Sequence, residues 1–225
     1  MEPRDKNGLT QAEFLAQYRQ KDYPRPSFTA DVVALSGTAN AAATFARDGM
    51  CSLRVLLIQR GGHPYLGCWA FPGGFVNQDE DADSAAARER AEETGIVGLS
   101  AVQLGSYSKP GRDPRGWTIS AAYLACVDVD VAAQAGDDAA RALWCDTCVQ
   151  RCDDGLIEVR VAAEGESPLC VFATHDDSRN ADRTKVISCE GFAFDHADMF
   201  ADALARVLCL ERLHQASNVF SALQT

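Results

Sequence analysis

The segment from Gly73 to Ile96, GGFVNQDEDADSAAARERAEETGI, constrains this chain more than any other. Two adjacent glycines open it and Gly95 closes the run that follows. Between them Glu80, Arg88, Glu89, Glu92 and Glu93 stand at set intervals. Neither glycine nor proline interrupts residues 82–94, which predicts a helix. Asp81 can cap it, and acidic residues in its first turn suit the helix dipole. On that helix Glu89, Glu92 and Glu93 stand at i, i+3 and i+4 and share one face. Three carboxylates on one face repel one another, and a divalent cation among them turns the repulsion to use. The alternative is a charged, solvated helix, which is what such a composition usually means.

The chain has 225 residues, of which 47% are hydrophobic, enough for one cored domain with an embellishment. No apolar run approaches the length that spans a bilayer, and the charged start MEPRDKNGLTQ is no signal peptide. A soluble, cytoplasmic protein is expected. The net charge of −11 repels a nucleic-acid backbone, so no nucleic-acid partner is expected. An anionic substrate would have to be drawn in by local arginines and bound metal. Nine cysteines without a secretory signal read as free interior thiols. Cys145, Cys148 and Cys152 could begin a zinc site, completed by Cys170, Cys189 or His175, but no second CxxC accompanies them, and their spacing also suits one face of a helical turn.

Along the chain, residues 9–19 read as an amphipathic helix with Leu9, Phe14, Leu15 and Tyr18 on one side. Residues 28–36 and 53–60 read as strands, with a polar loop from Gly37 to Met50 between them. Further strands are expected at 102–108, 118–127 and 140–145. Residues 150–190 read as an inserted antiparallel hairpin or small sheet, with strands at 156–162, 169–174 and 185–189, which either covers the active site or mediates dimer contacts. Asp195 to Leu213 reads as a helix, capped by Asp195, with Phe200, Leu204, Val207, Leu208 and Leu210 as its apolar side.

Gly74, Glu80, Arg88, Glu89, Glu92, Glu93 and Gly95 together resemble the Nudix box, the signature of hydrolases that cleave a diphosphate linked to another moiety. The resemblance implies an α+β fold, a mixed β-sheet sandwiched between helices, with the antiparallel insertion as an extra. It implies one domain over 1–225, with 27–148 and 190–213 as its core and 150–190 atypical of the family. Glu89, Glu92 and Glu93 would then be ligands of magnesium, with manganese as a substitute. Glu93 would hold a metal-bound water or bridge two ions. Arg88 would orient a carboxylate, with Glu80 as its partner. Gly73 and Gly74 would form a tight turn whose carbonyl approaches the metal. Arg90 departs from the family pattern, which is aliphatic there. Its stem can be buried while its head reaches the surface.

The flanking segments LTQAEFLAQYRQKDYPRPSFTADVVAL, GSYSKPGRDPRGWTISAAYLA, GDDAARALW and FAFDHADMFADAL resemble those of ADP-ribose pyrophosphatases and their relatives. This implies hydrolysis of ADP-ribose to AMP and ribose 5-phosphate by a homodimer. NADH, a sugar nucleotide or a damaged NTP is the alternative substrate. A non-catalytic ADP-ribose-sensing regulator is the alternative class, disfavoured by the acidic body, the complete carboxylates and the short run of chain past residue 213. The turn SKPGRDPRG brings together Arg112, Asp113 and Arg115, which either hold the diphosphate and terminal ribose or pair with one another. Asp137 or Asp138 serves as general base, fifth acidic ligand or helix cap. Trp69, Phe71 and Trp117 stack an adenine or pack the core. His63, His175, His196 and His214 are assigned no catalytic role.

Overall fold

In a computed structural model, residues 2–18, 23–37, 41–127, 132–136, 139–175 and 186–208 are described. Strands β1 (Ser27–Ser36), β2 (Met50–Arg60), β5 (Val102–Tyr107), β6 (Thr118–Val127) and β7 (Ala139–Arg151) form the body of one mixed sheet. Its order runs β7-β2-β1-β6-β5, with β1 and β6 parallel and the other pairs antiparallel. The short strands β3 (Trp69–Ala70) and β4 (Gly73–Phe75) pair with β2 and β1.

Strand β1 explains the layering. Its side chains alternate between two buried faces, as a central strand requires. Ala30, Val32 and Ala34 pack with Ala85 and Ala86 of helix α3 (Ala82–Thr94). Val33 and Leu35 pack with Phe45, Phe200, Leu204 and Val207 on the other side. A helix over residues 196–208, α4, supplies the last three of these. The sandwich of a mixed sheet between helices, implied by the resemblance, is therefore present. Leu210 and the rest of the expected helix lie outside the described residues. No helix among the described residues is long and apolar enough to cross a membrane.

Several sequence expectations change. The loop expected over 37–50 contains helix α2 (Ala41–Asp48), which buries Ala41 and Phe45 against the core and ends at Gly49 with φ 67°. The helix is amphipathic at the helical period but only eight residues long, shorter than the run on which a sequence pattern can rest. The strand expected at 140–145 extends to Arg151, because β2 pairs with it from Arg60 to Met50. That pairing puts Cys145 and Cys148 on a strand, where residues an odd number apart face opposite sides of the sheet. Cys145 is buried in the core, and burial pushes its thiol up to about 12. The pair is thus not arranged to share one tetrahedral ion. The thiols are also not all interior, since Cys126 and Cys189 are exposed.

Strands β8 (Leu156–Ala162), β9 (Pro168–His175) and β10 (Val186–Glu190) continue the same sheet beyond β7 as an antiparallel meander. The chain then returns beside β3, where the Trp69 N–H donates to Gly191 O at 2.9 Å. Helix α1 (Gln11–Gln17) is shorter than the expected 9–19, and a capping box between Thr10 and Glu13 sets its start. Its Phe14 and Leu15, with Tyr18 just beyond, remain exposed.

Helix α3 spans the expected residues 82–94. Asp81 caps it by accepting the Ser84 N–H at 2.7 Å, and Gly95 ends it with φ 71°. Arg90 corrects the expectation of a surfaced head. It is 3% exposed, and its guanidinium donates to Ile96 O at 3.1 Å and Leu99 O at 3.3 Å. The arginine thus ties the chain after the helix back to the helix. Arg90→Leu leaves both carbonyls without this donor. It is expected to lower stability by about 1–3 kcal/mol, read as a shift of the denaturant midpoint. An unchanged midpoint would show that the two bonds contribute nothing.

Candidate active site

Strand β4 brings the box onto the sheet. Gly73 and Gly74 are extended and paired with Asp31 and Ala30 of β1, so the expected tight turn is replaced by close approach. A Cβ on Gly73 would overlap Ala30 O and Asp31, and one on Gly74 would lie 2.5 Å from the Glu89 carboxylate. At Gly73 the overlap is with backbone and only glycine fits, whereas at Gly74 the Glu89 carboxylate would have to move. The Gly73 N–H donates to Glu93 at 2.8 Å, so the strand positions a helix carboxylate directly.

Glu89, Glu92 and Glu93 line one cavity of about 780 Å³, together with Arg88, Arg112, Asp113 and Arg115. The structure thus brings the box and the 112–115 turn together. Arg88 makes the expected bidentate pair with Glu80, with Nε to Oε1 and Nη2 to Oε2 both 2.9 Å. Those hydrogen bonds hold the Glu80 carboxyl down at about 2. Arg88 Nη1 also donates to Glu89 at 2.7 Å and Glu92 at 3.0 Å. As they stand, no three His, Cys, Asp or Glu side chains among the described residues converge into a ready ion site. Arg88 engages one oxygen of Glu89 and one of Glu92, two of the three box carboxylates.

The donor set fits such a cation. Burial pushes Glu93 up to about 8, with Glu89 and Asp31 adding to the rise, while the Gly73 N–H and Arg60 oppose it. Burial raises Glu89 as well, against the pull of Arg88. Burial thus disfavours the ionised form of both carboxyls, and a nearby cation would restore it. The cradle over Gly74, too tight for any Cβ, presses the Glu89 oxygens against the strand.

The 112–115 turn is more self-contained than a diphosphate clamp. Arg112 is bidentate to Asp195, at 2.8 Å and 2.5 Å, and nearly buried. Asp195, expected as a helix cap, instead commits its carboxylate to this pair, although its carbonyl accepts the Met199 N–H. Arg115 closes on Asp113 at 2.8 Å but keeps 43% exposure. Burial alone would raise Asp113, but the hydrogen bonds from Arg115 outweigh it and lower the carboxyl. The pairing expected as the alternative is the one formed, and Arg115 is the arginine of this turn that still faces solvent.

Several cavity residues escaped sequence reading. Asp31 sits within the apolar run of β1, 6% exposed, and accepts the Ser120 hydroxyl. An acid inside such a strand was the available signal. His196 is buried, stacks on Phe71 at 5.3 Å, and accepts the Phe71 N–H on Nδ1 at 2.9 Å. Burial lowers its pKa, so it is neutral at pH 7, and the Nδ1 acceptor places the proton on Nε2, 3.8 Å from Asp31 Oδ1. Arg60, Phe75 and Phe194 also line the cavity. Trp69 and Phe71 are core residues, and Trp117 is 55% exposed. Asp137, Asp138 and His214 lie outside the described residues.

Known proteins match this arrangement. The NUDIX domain model matches residues 37–147. The ADPR responsive transcriptional repressor NtrR of Acinetobacter baylyi is 38% identical over 124 residues, 54% of this chain and 45% of that protein. The ADP-ribose pyrophosphatase of Methanocaldococcus jannaschii is 44% identical over 93 residues, 41% of this chain and 54% of that one. The chain spans about half the length of these curated relatives. A crystal structure of a MutT/nudix family protein from Enterococcus faecalis superposes with a TM-score of 0.67. It is 34% identical, covering 89% of this chain and 70% of that one.

The buried carboxyl makes a stability prediction. Below pH 4.5, the ordinary value of Glu93, it is protonated both folded and unfolded. Between 4.5 and about 8 the unfolded chain releases a proton that the folded chain keeps. Stability without a divalent cation therefore falls as pH rises through that window, by at most about 1.4 kcal/mol per pH unit. Melting curves should show the fall, its reversal by a divalent cation at pH 8, and its reduction in Glu93→Gln. A wild-type melting temperature that is flat across the window would refute the buried charge.

Proposed function

This chain belongs to the Nudix family, and from that membership and its cavity we propose that it hydrolyses a nucleoside diphosphate linked to another moiety, ADP-ribose before others. The observation that carries the reading is the complete set of Glu89, Glu92 and Glu93 in one cavity with Arg88 anchored by Glu80. The 44% identity to an ADP-ribose pyrophosphatase supports the choice of substrate. The same reading takes residues 1–225 as one domain of the family, with 150–190 as an addition to it. It takes the protein to be a cytoplasmic homodimer whose partner is a small nucleotide, in keeping with the net charge of −11.

Glu89, Glu92 and Glu93 would hold magnesium, or manganese in its place, with the carbonyl of Gly74 as a further oxygen donor. When bound, that ion neutralises the diphosphate oxygens and makes water a better nucleophile. The residues of the chain do the rest. Water attacks one phosphorus, the bridging oxygen leaves with the other phosphate, and the products from ADP-ribose are AMP and ribose 5-phosphate. Glu93, once ionised beside the cation, is suited to take the proton of the attacking water. Glu80 fixes Arg88, which orients Glu89 and Glu92. Arg112 and Asp113 hold the turn, and Arg115 meets the anionic substrate at the rim.

A second reading rests on the 38% identity to an ADPR responsive repressor: a sensor that binds ADP-ribose without cleaving it. One experiment separates them. Purified protein with Mg²⁺ is given ADP-ribose, NADH, sugar nucleotides, dinucleoside polyphosphates and NTPs, and the products are identified. AMP and ribose 5-phosphate are expected from ADP-ribose, with kcat reduced about 10²–10⁴-fold in Glu93→Gln. Binding of ADP-ribose without turnover would support the sensor, and turnover of another member of the panel would reassign the substrate.

A further inference from the structure

Among the described residues, the non-glycine residues with positive φ are Tyr65 at 61° and Phe194 at 52°. Large side chains rarely adopt that backbone conformation. The two are far apart in sequence, yet their rings meet, with centroids 4.8 Å apart and planes tilted by 60°. Strain of this kind gathers where a side chain must be presented rather than packed. Phe194 lines the cavity and is half-buried, and Tyr65 is 38% exposed. The neighbouring Phe192 and Phe200, by contrast, are buried in the core.

The surroundings of Phe194 have a defined chemistry. The Arg60 guanidinium carbon lies 5.1 Å from its ring centroid and that of Arg115 lies 5.5 Å away. Arg115 also lies 5.1 Å from the Phe75 ring, and the Phe75 carbonyl accepts Arg88 Nη2 at 3.0 Å. A continuous line of rings and guanidiniums therefore runs from the box helix to the rim of the cavity. Flat hydrocarbon beside planar cations suits a flat, electron-rich heteroaromatic ring joined to an anion.

We propose that Tyr65 and Phe194, flanked by Arg60 and Arg115, form a stacking subsite for the nucleobase of the substrate. This replaces Trp69, Phe71 and Trp117 as aromatic candidates, and it rests on the reading that the cavity takes a nucleoside diphosphate derivative. The rings hold the base, and the arginines lie where the chain of phosphates leaves it for the carboxylates of α3.

The test compares a ligand with a base against one without. AMP and ribose 5-phosphate are titrated calorimetrically into the wild type, Phe194→Asn, Tyr65→Asn and Phe194→Tyr. Asparagine tolerates positive φ, so the substitution removes the ring and keeps the turn. AMP affinity is expected to fall about tenfold in each asparagine variant, with ribose 5-phosphate binding as to the wild type and Phe194→Tyr retaining AMP. In the unmodified protein, magnetisation transfer from aromatic side-chain protons should reach the base protons of AMP. The subsite is overturned if AMP and ribose 5-phosphate weaken together, if AMP is insensitive to both ring deletions, or if the base protons receive no transfer. A wild type that binds AMP through these rings but cleaves no diphosphate refutes the hydrolase reading alone. One that cleaves ADP-ribose yet binds AMP no better than ribose 5-phosphate refutes the subsite alone.

Discussion

The contact between helix α3 and strand β4 is made across two residues that have no room for a side chain. A methyl on Gly73 would strike the backbone of β1, and one on Gly74 would strike the Glu89 carboxylate. The first would part β4 from β1, and the second would push the Glu89 carboxylate out of its place. Ala85 and Ala86 are the matching small residues on the helix side, buried against Ala30, Val32 and Ala34. Because backbone and helix come this close, the Gly73 N–H reaches Glu93 and the Glu89 oxygens lie over the strand. Removal of carboxylates from water follows from the same approach, and so do the raised values of Glu89 and Glu93.

Charge around this contact is arranged asymmetrically. Arg88 serves Glu80, Glu89 and Glu92, while Glu93 at the floor relies on a backbone N–H. The guanidinium can give up its two box carboxylates without losing Glu80, which keeps it in place. On the opposite wall, Arg112 and Asp195 join the 112–115 turn to the start of α4 through a nearly buried pair. Breaking such a pair by removing one member leaves an uncompensated buried charge. His196 and Ser120 meet Asp31 from two other elements, so β1, β6 and α4 all end on the same acidic floor.

Regular elements with a strong local signal were readable. Helix α3 needed only its cap, its closing glycine and an uninterrupted run, and β6 and β8 coincide with their apolar patterns. Helix α2 was not readable, because eight residues are too few for its amphipathic pattern to stand out. Strand β7 runs past 145 because cross-strand partners on β2 carry it to Arg151 and Val149 is buried in the core. Arg90 looked like a surface residue in the wrong place. Its acceptors, the carbonyls of Ile96 and Leu99, exist only once the chain turns back after Gly95.

The sequence by itself determined the chemistry available. Spacing along one helix sets Glu89, Glu92 and Glu93 on a common face, because helical geometry is local. It also specified glycine at 73 and 74, though it could not say that close packing, rather than a turn, requires them. Tertiary structure alone decided which arginines face the cavity and which are spent on partners, since Asp195 lies 83 residues from Arg112. It alone decided that Asp31, His196 and Phe194 gather at the same cavity, with Tyr65 against Phe194. Those contacts join strands, loops and a helix whose meeting depends on sheet order, and no short-range pattern in the chain encodes that order.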